Sequence, residues 1–123
     1  MKLLEGLKLA PRGAPPELLE KLDLPKDLRD VLAEHDGGRG KLGQRELVLF
    51  SAKEIADQPE VSSSVPGLLV FGSDGGAEGY GYLPRLQRGG KYGRISLLAA
   101  GAHEFESLGD SLEELLQAVA DGR

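Results

Sequence analysis

The sequence predicts an α+β fold with a mostly antiparallel sheet, and three observations support that prediction. Apolar residues at helical spacing occur near the start of the chain and again at its end. The strand-like segments cluster between these two regions, which is typical of antiparallel neighbours, whereas a parallel sheet requires helices between its strands. The third observation is the glycine-rich acidic turn "SDGGAEG" between two strand-like segments, which indicates a hairpin. We therefore expect N-terminal helices, a central sheet and a C-terminal helix.

Two helices are predicted in the N-terminal third of the chain. The first begins at Pro15 and Pro16, because proline is well tolerated in a first helical turn. The second lies within 23–38, where Asp27 in the first turn favours the helix dipole and Gly37 and Gly38 give a stop signal. The apolar stripes of the two helices are Leu18, Leu19 and Leu22, and then Leu28, Val31 and Leu32, with His35 on the same face.

Four strands are predicted from β-branched and aromatic residues, at 46–52, 68–72, 80–84 and 93–100. Between the first two, residues 51–58 predict a short helix or turn that begins with a Ser51–Glu54 capping box, and residues 61–67 predict a loop. The final helix is the clearest element of the sequence. Ser111 and Glu114 form a second predicted capping box, and the apolar stripe is Leu112, Leu115, Leu116 and Val119.

The composition limits the class of protein. The chain of 123 residues has a net charge of −5 and no cysteine, which excludes disulfides and cysteine-ligated metal sites. The negative charge disfavours nucleic acid and anionic membranes as partners. The sequence shows neither a signal-peptide core nor a membrane span, so we expect a cytoplasmic protein. It predicts one domain, 1–123, with its core at about 15–119.

Two glycine-rich segments resemble ligand-binding motifs but lack their context. "GRGKLG" at 38–43 matches G-x-G-x-x-G, yet it follows a predicted helix and precedes a strand, the reverse of a dinucleotide site, so we interpret it as a flexible connection. "DGGAEGY" at 74–80 places only Asp74 and Glu78 where a calcium loop needs ligands, so we expect no metal there. The same glycines suit the positive φ of a tight hairpin turn.

No coherent set of catalytic residues is present in the sequence. H-E-x-x-H and G-x-S-x-G are both missing, and His35 is expected to interact with the carbonyl groups at the end of its helix. We therefore predict a protein that is not an enzyme and has no cofactor. Because polar loop tips on a rigid sheet are common binding positions, the predicted partner-binding residues are Asp74, Glu78, Tyr80 and Tyr82. The tyrosines have a second interpretation, which is half-buried packing on one strand face.

Three segments, in this order, resemble the SMI1/KNR4 family of the SUKH superfamily. They are "LDLPKDLRDVLAEHDGG", "LLVFGSDGGAEGYGYLP" and "SLEELLQAV", and the resemblance covers about 15–119. It implies an α+β fold and a non-catalytic, protein-binding role. Bacterial members are commonly immunity proteins that neutralise toxin domains, and fungal relatives are regulatory interaction proteins, so the resemblance implies a protein partner of one of these kinds. A third alternative from the residues is a small-ligand-binding protein or enzyme that uses the rim at 74–82.

Overall fold

The computed structural model describes residues 6–22, 24–57, 68–76, 78–83, 91–96 and 105–122. Within these ranges the fold is α+β, with an antiparallel sheet of seven strands in the order β1 to β7 and a C-terminal helix. The strands are β1 Lys8–Leu9, β2 Gly38–Leu42, β3 Arg45–Leu49, β4 Leu69–Ser73, β5 Glu78–Tyr82, β6 Tyr92–Ser96 and β7 Glu106–Gly109. The helices are α1 Pro16–Lys21, α2 Lys26–Glu34, α3 Ala52–Ala56 and α4 Leu112–Ala120.

The predicted helices are confirmed close to their predicted starts. Pro16 is the first residue of α1, and α2 begins directly after Pro25. The capping box of α3 is complete, since Ser51 accepts from the Glu54 amide and Glu54 accepts from the Ser51 amide. Its counterpart at α4 is half formed. Ser111 accepts from the amide of Glu114, whose carboxylate instead accepts from the Asp110 amide.

The sheet is a meander, and the hairpin predicted around the glycine-rich turn is confirmed as β4 paired with β5. The strand predicted at 46–52 corresponds to β3, which ends earlier, at Leu49, and the described part of 93–100 belongs to β6. The predicted loop at 61–67, the residues 97–100 and Pro84 lie outside the described residues.

The interpretation of 38–43 as a flexible connection was wrong, because residues 38–42 form β2. Alternating glycine and charged residues hid this strand, and its glycines have a packing reason. A side chain at Gly38 or Gly40 would collide with β1 and with Leu7 beside it. Gly43, at φ +67°, lies in the turn to β3 and leaves room for the carbonyl of Ala120. The glycines of this motif therefore allow the backbone of β2 and of the following turn to pack closely against their neighbours.

The apolar core lies mainly between the helices and one face of the sheet. This helix-side face carries Leu47, Leu49, Phe71, Tyr80 and Tyr92, which pack with the apolar residues of α1, α2 and α4. The opposite face holds a smaller cluster of Leu68, Val70, Leu83 and Ile95. Because side chains alternate along a strand, the register of each strand decides which of its residues join the helix side.

α4 crosses the helix-side face diagonally and leaves one corner of it uncovered. Its first residue, Leu112, lies near Asp27, while its last, Ala120, lies beside Gly43 in the β2–β3 turn. The helix therefore begins at the end of the sheet near the start of β6 and finishes across the sheet at β2. The corner that it does not cover is formed by the first residues of β3, β5 and β7 and by the last residues of β6. The candidate site lies there.

Candidate functional site

The acidic turn after β4 is held in place by its own hydrogen bonds. The Asp74 carboxylate accepts from the amides of Gly76 at 2.9 Å and Glu78 at 3.3 Å, while Ser73 Oγ accepts from the Gly75 amide at 3.1 Å. The Asp74 amide donates to the Glu78 carbonyl at 3.1 Å, and Gly75 takes the positive φ of +84° that this geometry requires. The turn is thus a fixed structure that carries two carboxylates.

The structure separates the four predicted partner-binding residues. Asp74 and Glu78 are half-exposed at the turn, whereas Tyr80 is fully buried and Tyr82 is half-buried. Glu78 and Tyr82 lie at opposite ends of β5, about 13 Å apart along the strand. The four residues share one strand face or its turn, but only Asp74 and Glu78 form a surface together. For Tyr80 the packing interpretation applies.

Tyr82 belongs to the end of the helix-side face that is closed by helices. Its ring centroid lies 4.9 Å from that of Tyr92, its cross-strand neighbour. The Tyr92 hydroxyl donates to the Asp27 carboxylate, which also accepts from the Leu112 amide at 2.8 Å. Asp27 therefore links α2, the first residue of α4 and the sheet. Burial, then the bond to Asp27, raises the pKa of Tyr92 above its usual value.

The uncovered corner is a polar cleft of about 370 Å³. Its described lining comprises two guanidinium groups, two carboxylates and one hydroxyl: Arg45, Arg94, Glu78, Glu106 and Ser96. These residues share the helix-side face because Glu78 pairs with Ser96 and Arg94 pairs with Glu106 in the sheet register. The cleft borders the acidic turn, because Glu78 belongs to both.

Charges in the cleft fall into a paired set and an unpaired set. Arg94 donates to Glu106 at 2.7 Å, and although burial lowers the pKa of the Arg94 guanidinium, this bond and nearby acidic groups raise it overall. By contrast, neither Arg45 nor Glu78 has a side-chain hydrogen bond or ion pair with any described residue. One cation and one anion therefore face the cleft without a partner among the described residues.

Tyr80 carries a buried hydroxyl on β5, the strand that contributes Glu78 to the cleft. The residue pairs across the sheet with Arg94, and its hydroxyl has no hydrogen-bond partner in the part of the chain that the structure describes. Burial, and secondly the charge of Asp74, raise the pKa of Tyr80, while Arg45 and Arg94 act in the opposite direction. The hydroxyl thus lies within the electrostatic reach of both guanidinium groups.

The sequence analysis missed Arg45, Arg94, Ser96 and Glu106. Arg94 carried the one local signal, because it stands two positions after Tyr92 in a strand of buried residues and so shares the face of that tyrosine. The histidine prediction needs correction: the His35 ring donates from Nδ1 to the Ala10 carbonyl at 2.7 Å rather than to its own helix. This bond ties the N-terminal segment to α2, because β1 brings Ala10 beside the end of that helix.

The described residues show neither a metal-ligand cluster nor a membrane-spanning helix. Among these residues, no group of three or more histidine, aspartate or glutamate side chains could hold a metal ion. The helices within the same ranges are all too short or too polar to cross a membrane. In the comparisons with known proteins, no family model matches the chain and no curated protein matches it.

Proposed function

We propose that the chain is a non-catalytic protein-binding domain that presents its acidic turn, Asp74 and Glu78, to a basic surface of a protein partner. The observation that carries the proposal is the fixed geometry of this turn. Its backbone is already ordered by Asp74 and Ser73. Preordering lowers the entropic cost of binding, and carboxylates on a rigid sheet complement a cationic partner surface.

The SMI1/KNR4 resemblance supplies the kind of partner in this proposal. The order of elements, with helices before a hairpin-containing sheet and a helix at the end, is the order that the resemblance implies. A toxin domain neutralised by an immunity protein is the partner we propose first, and a regulatory interaction partner is the alternative of the same class. The net charge of −5 supports a basic partner in both cases.

The test uses variants that remove charge without untying the turn. Asp74→Asn keeps a side-chain oxygen for the amides of Gly76 and Glu78, and Glu78→Gln keeps the shape of its side chain. A matched double variant, Glu34→Gln with Asp57→Asn, removes two exposed carboxylates elsewhere. Tagged wild type and both double variants would be used to capture partners from a lysate of the source organism, and the affinity of the purified partner would be measured.

We expect the Asp74→Asn/Glu78→Gln variant to bind the partner at least 10-fold more weakly, with a reduced dependence of the association rate on salt. The matched double variant should bind like wild type. Protection of cells that express a captured toxin would then establish the immunity role. Equal binding by the turn variant would contradict the proposed surface, and capture of no protein together with a copurifying metabolite would contradict the proposed function.

A further inference from the structure

We propose that the cleft at the uncovered corner binds a small zwitterion, with its carboxylate at Arg45 and its ammonium group at Glu78. This site overlaps the protein-binding turn at Glu78 but goes beyond it, since Arg45 lines the cleft and Asp74 does not. The volume of about 370 Å³ is within the usual range for small-molecule pockets, about 300–1,000 Å³.

Only some of the charges within the cleft are paired with one another. Arg94 and Glu106 satisfy one another, so neither is the principal binding group. Arg45 and Glu78 remain, with opposite formal charges and no bond to a described residue. A guanidinium group binds carboxylates through two parallel hydrogen bonds, and a carboxylate accepts from an ammonium group. The two free side chains thus match the two ends of a zwitterion.

Arg45 and Glu78 are on strands that are not neighbours in the sheet. Arg45 is on β3 and Glu78 on β5, so β4 separates them by two strand spacings, about 9.5 Å. No ion pair joins Arg45 to Glu78. The two side chains therefore line a space that a short charged molecule can bridge.

The mixed charges of the cleft disfavour ligands of a single charge. An isolated anion at Arg45 would be repelled by Glu78 and by the net charge of −5. An isolated cation at Glu78 would be repelled by Arg45 and Arg94. A zwitterion meets an opposite charge at each end, so the same groups that reject monofunctional ions favour it.

The buried hydroxyl of Tyr80 is an independent indication of a site. Buried polar groups without a hydrogen-bond partner are rare in native proteins. This one is on the strand that carries Glu78 and pairs in register with Arg94, two residues of the cleft lining. A polar group that no described residue satisfies therefore lies on a strand that lines the cleft.

The experiment titrates ¹⁵N-labelled protein with three zwitterions of increasing charge separation: glycine, 4-aminobutanoate and 6-aminohexanoate. Acetate with methylamine, butanoate with butylamine and hexanoate with hexylamine are the matched single-charge probes. We expect saturable shifts of the backbone amides of residues 45, 78 and 94 with at least one zwitterion, at an affinity at least 10-fold above that of its single-charge analogues. Absence of saturable binding by all three zwitterions, or equal binding by the analogues, would overturn the proposal.

Variants then assign the two ends of the ligand. Arg45→Gln and Glu78→Gln should each weaken binding at least 10-fold, while the exposed controls Arg12→Gln and Glu34→Gln should leave it unchanged. The charge-exchanged variant Arg45→Glu/Glu78→Arg should recover binding, because the ligand can enter in the opposite orientation. Thermal unfolding of each variant checks the fold, and unchanged affinity in a folded Arg45→Gln variant contradicts the assignment of the carboxylate.

Asp74→Asn separates this proposal from the protein-binding function. The substitution should weaken partner binding and leave zwitterion binding within 2-fold of wild type. Loss of zwitterion binding in Asp74→Asn, with the fold intact, would place the ligand at the turn and contradict the cleft. A failure of the zwitterion titrations would leave the partner measurements unaffected.

Discussion

Tyr80 and Tyr92 are on neighbouring strands, on the same face of the sheet, and both are buried almost completely, yet their hydroxyl groups have opposite surroundings. The Tyr92 hydroxyl donates to Asp27, at the end of the face where α2 and α4 meet. The Tyr80 hydroxyl has no described partner, at the end that α4 leaves uncovered. Helix placement, rather than residue type, therefore decides which of the two hydroxyl groups has a hydrogen-bond partner among the described residues.

Asp27→Ala should give the largest loss of stability, because it removes the link among α2, α4 and the sheet. Its carboxylate accepts from the Tyr92 hydroxyl and the Leu112 amide. Hydrogen bonds to a charged group contribute about 1.5–3 kcal/mol each, so we expect a loss of about 3–4 kcal/mol in urea unfolding. Asp30→Ala is the matched control. Asp30 is exposed and its ion pair with Lys26 is long, at 3.9 Å, so its removal should change stability by less than about 0.5 kcal/mol.

An Asp27→Ala effect as small as that of Asp30→Ala would show that the closed end is held by apolar packing alone.

Alkaline pH should lower the free energy of unfolding, because both tyrosines are buried. Burial raises the pKa of Tyr80 and of Tyr92 above 10, whereas the unfolded chain titrates near the usual value. Above about pH 10 the unfolded state therefore binds fewer protons than the folded state, so stability falls as pH rises. The limiting slope is about 1.4 kcal/mol per pH unit for a group that is ionised in the unfolded chain and protonated in the folded one, and unfolding curves at pH 9, 10 and 11 measure it.

The Tyr80→Phe/Tyr92→Phe variant is the control for this alkaline loss. It retains both rings and removes both titrations, so its stability should fall less between pH 10 and 11 than that of wild type. Parallel curves for the two proteins would mean that other groups cause the alkaline loss.

Tyr92→Phe should be destabilising by about 1–2 kcal/mol at neutral pH. The ring stays packed against Phe71 and Tyr82, so the change removes one hydrogen bond and leaves a half-buried oxygen of Asp27 with fewer donors. Urea unfolding midpoints at constant slope measure the loss. Combined with Asp27→Ala, the second substitution should add little, because both remove the same bond. Full additivity would contradict the direct link.

Local sequence signals were sufficient for the elements whose causes are local. α4 was predicted because its cap residue and its apolar stripe are adjacent in the chain, and the β4–β5 hairpin because Asp74 and Gly75 determine the turn. β2 was missed because Gly38 and Gly40 reflect the close approach of β1, which is a tertiary contact. The glycines looked like a flexible connection only while their neighbouring strand was unknown.

The cleft could not be predicted for a similar reason. Arg45, Glu78 and Arg94 come from three strands, and only the register of the sheet brings them to one corner. The prediction for Tyr80 rested on its period-2 spacing with Tyr82, which correctly gave one strand face. Spacing alone did not show that helices cover that face at one end and leave it open at the other.

Tyr80→Phe should have the smallest effect and the opposite sign to Tyr92→Phe. The substitution keeps the ring in the core and deletes a buried hydroxyl that bonds to no described residue, so no hydrogen bond is lost and a desolvation penalty is relieved. We expect the free energy of unfolding to rise by about 0–1 kcal/mol at neutral pH. Tyr80→Phe and Tyr92→Phe therefore test the two ends of one sheet face with the same chemical change. A loss of 1 kcal/mol or more in Tyr80→Phe would show that its hydroxyl is satisfied in solution, and the distinction between an anchored and an open end would then fail.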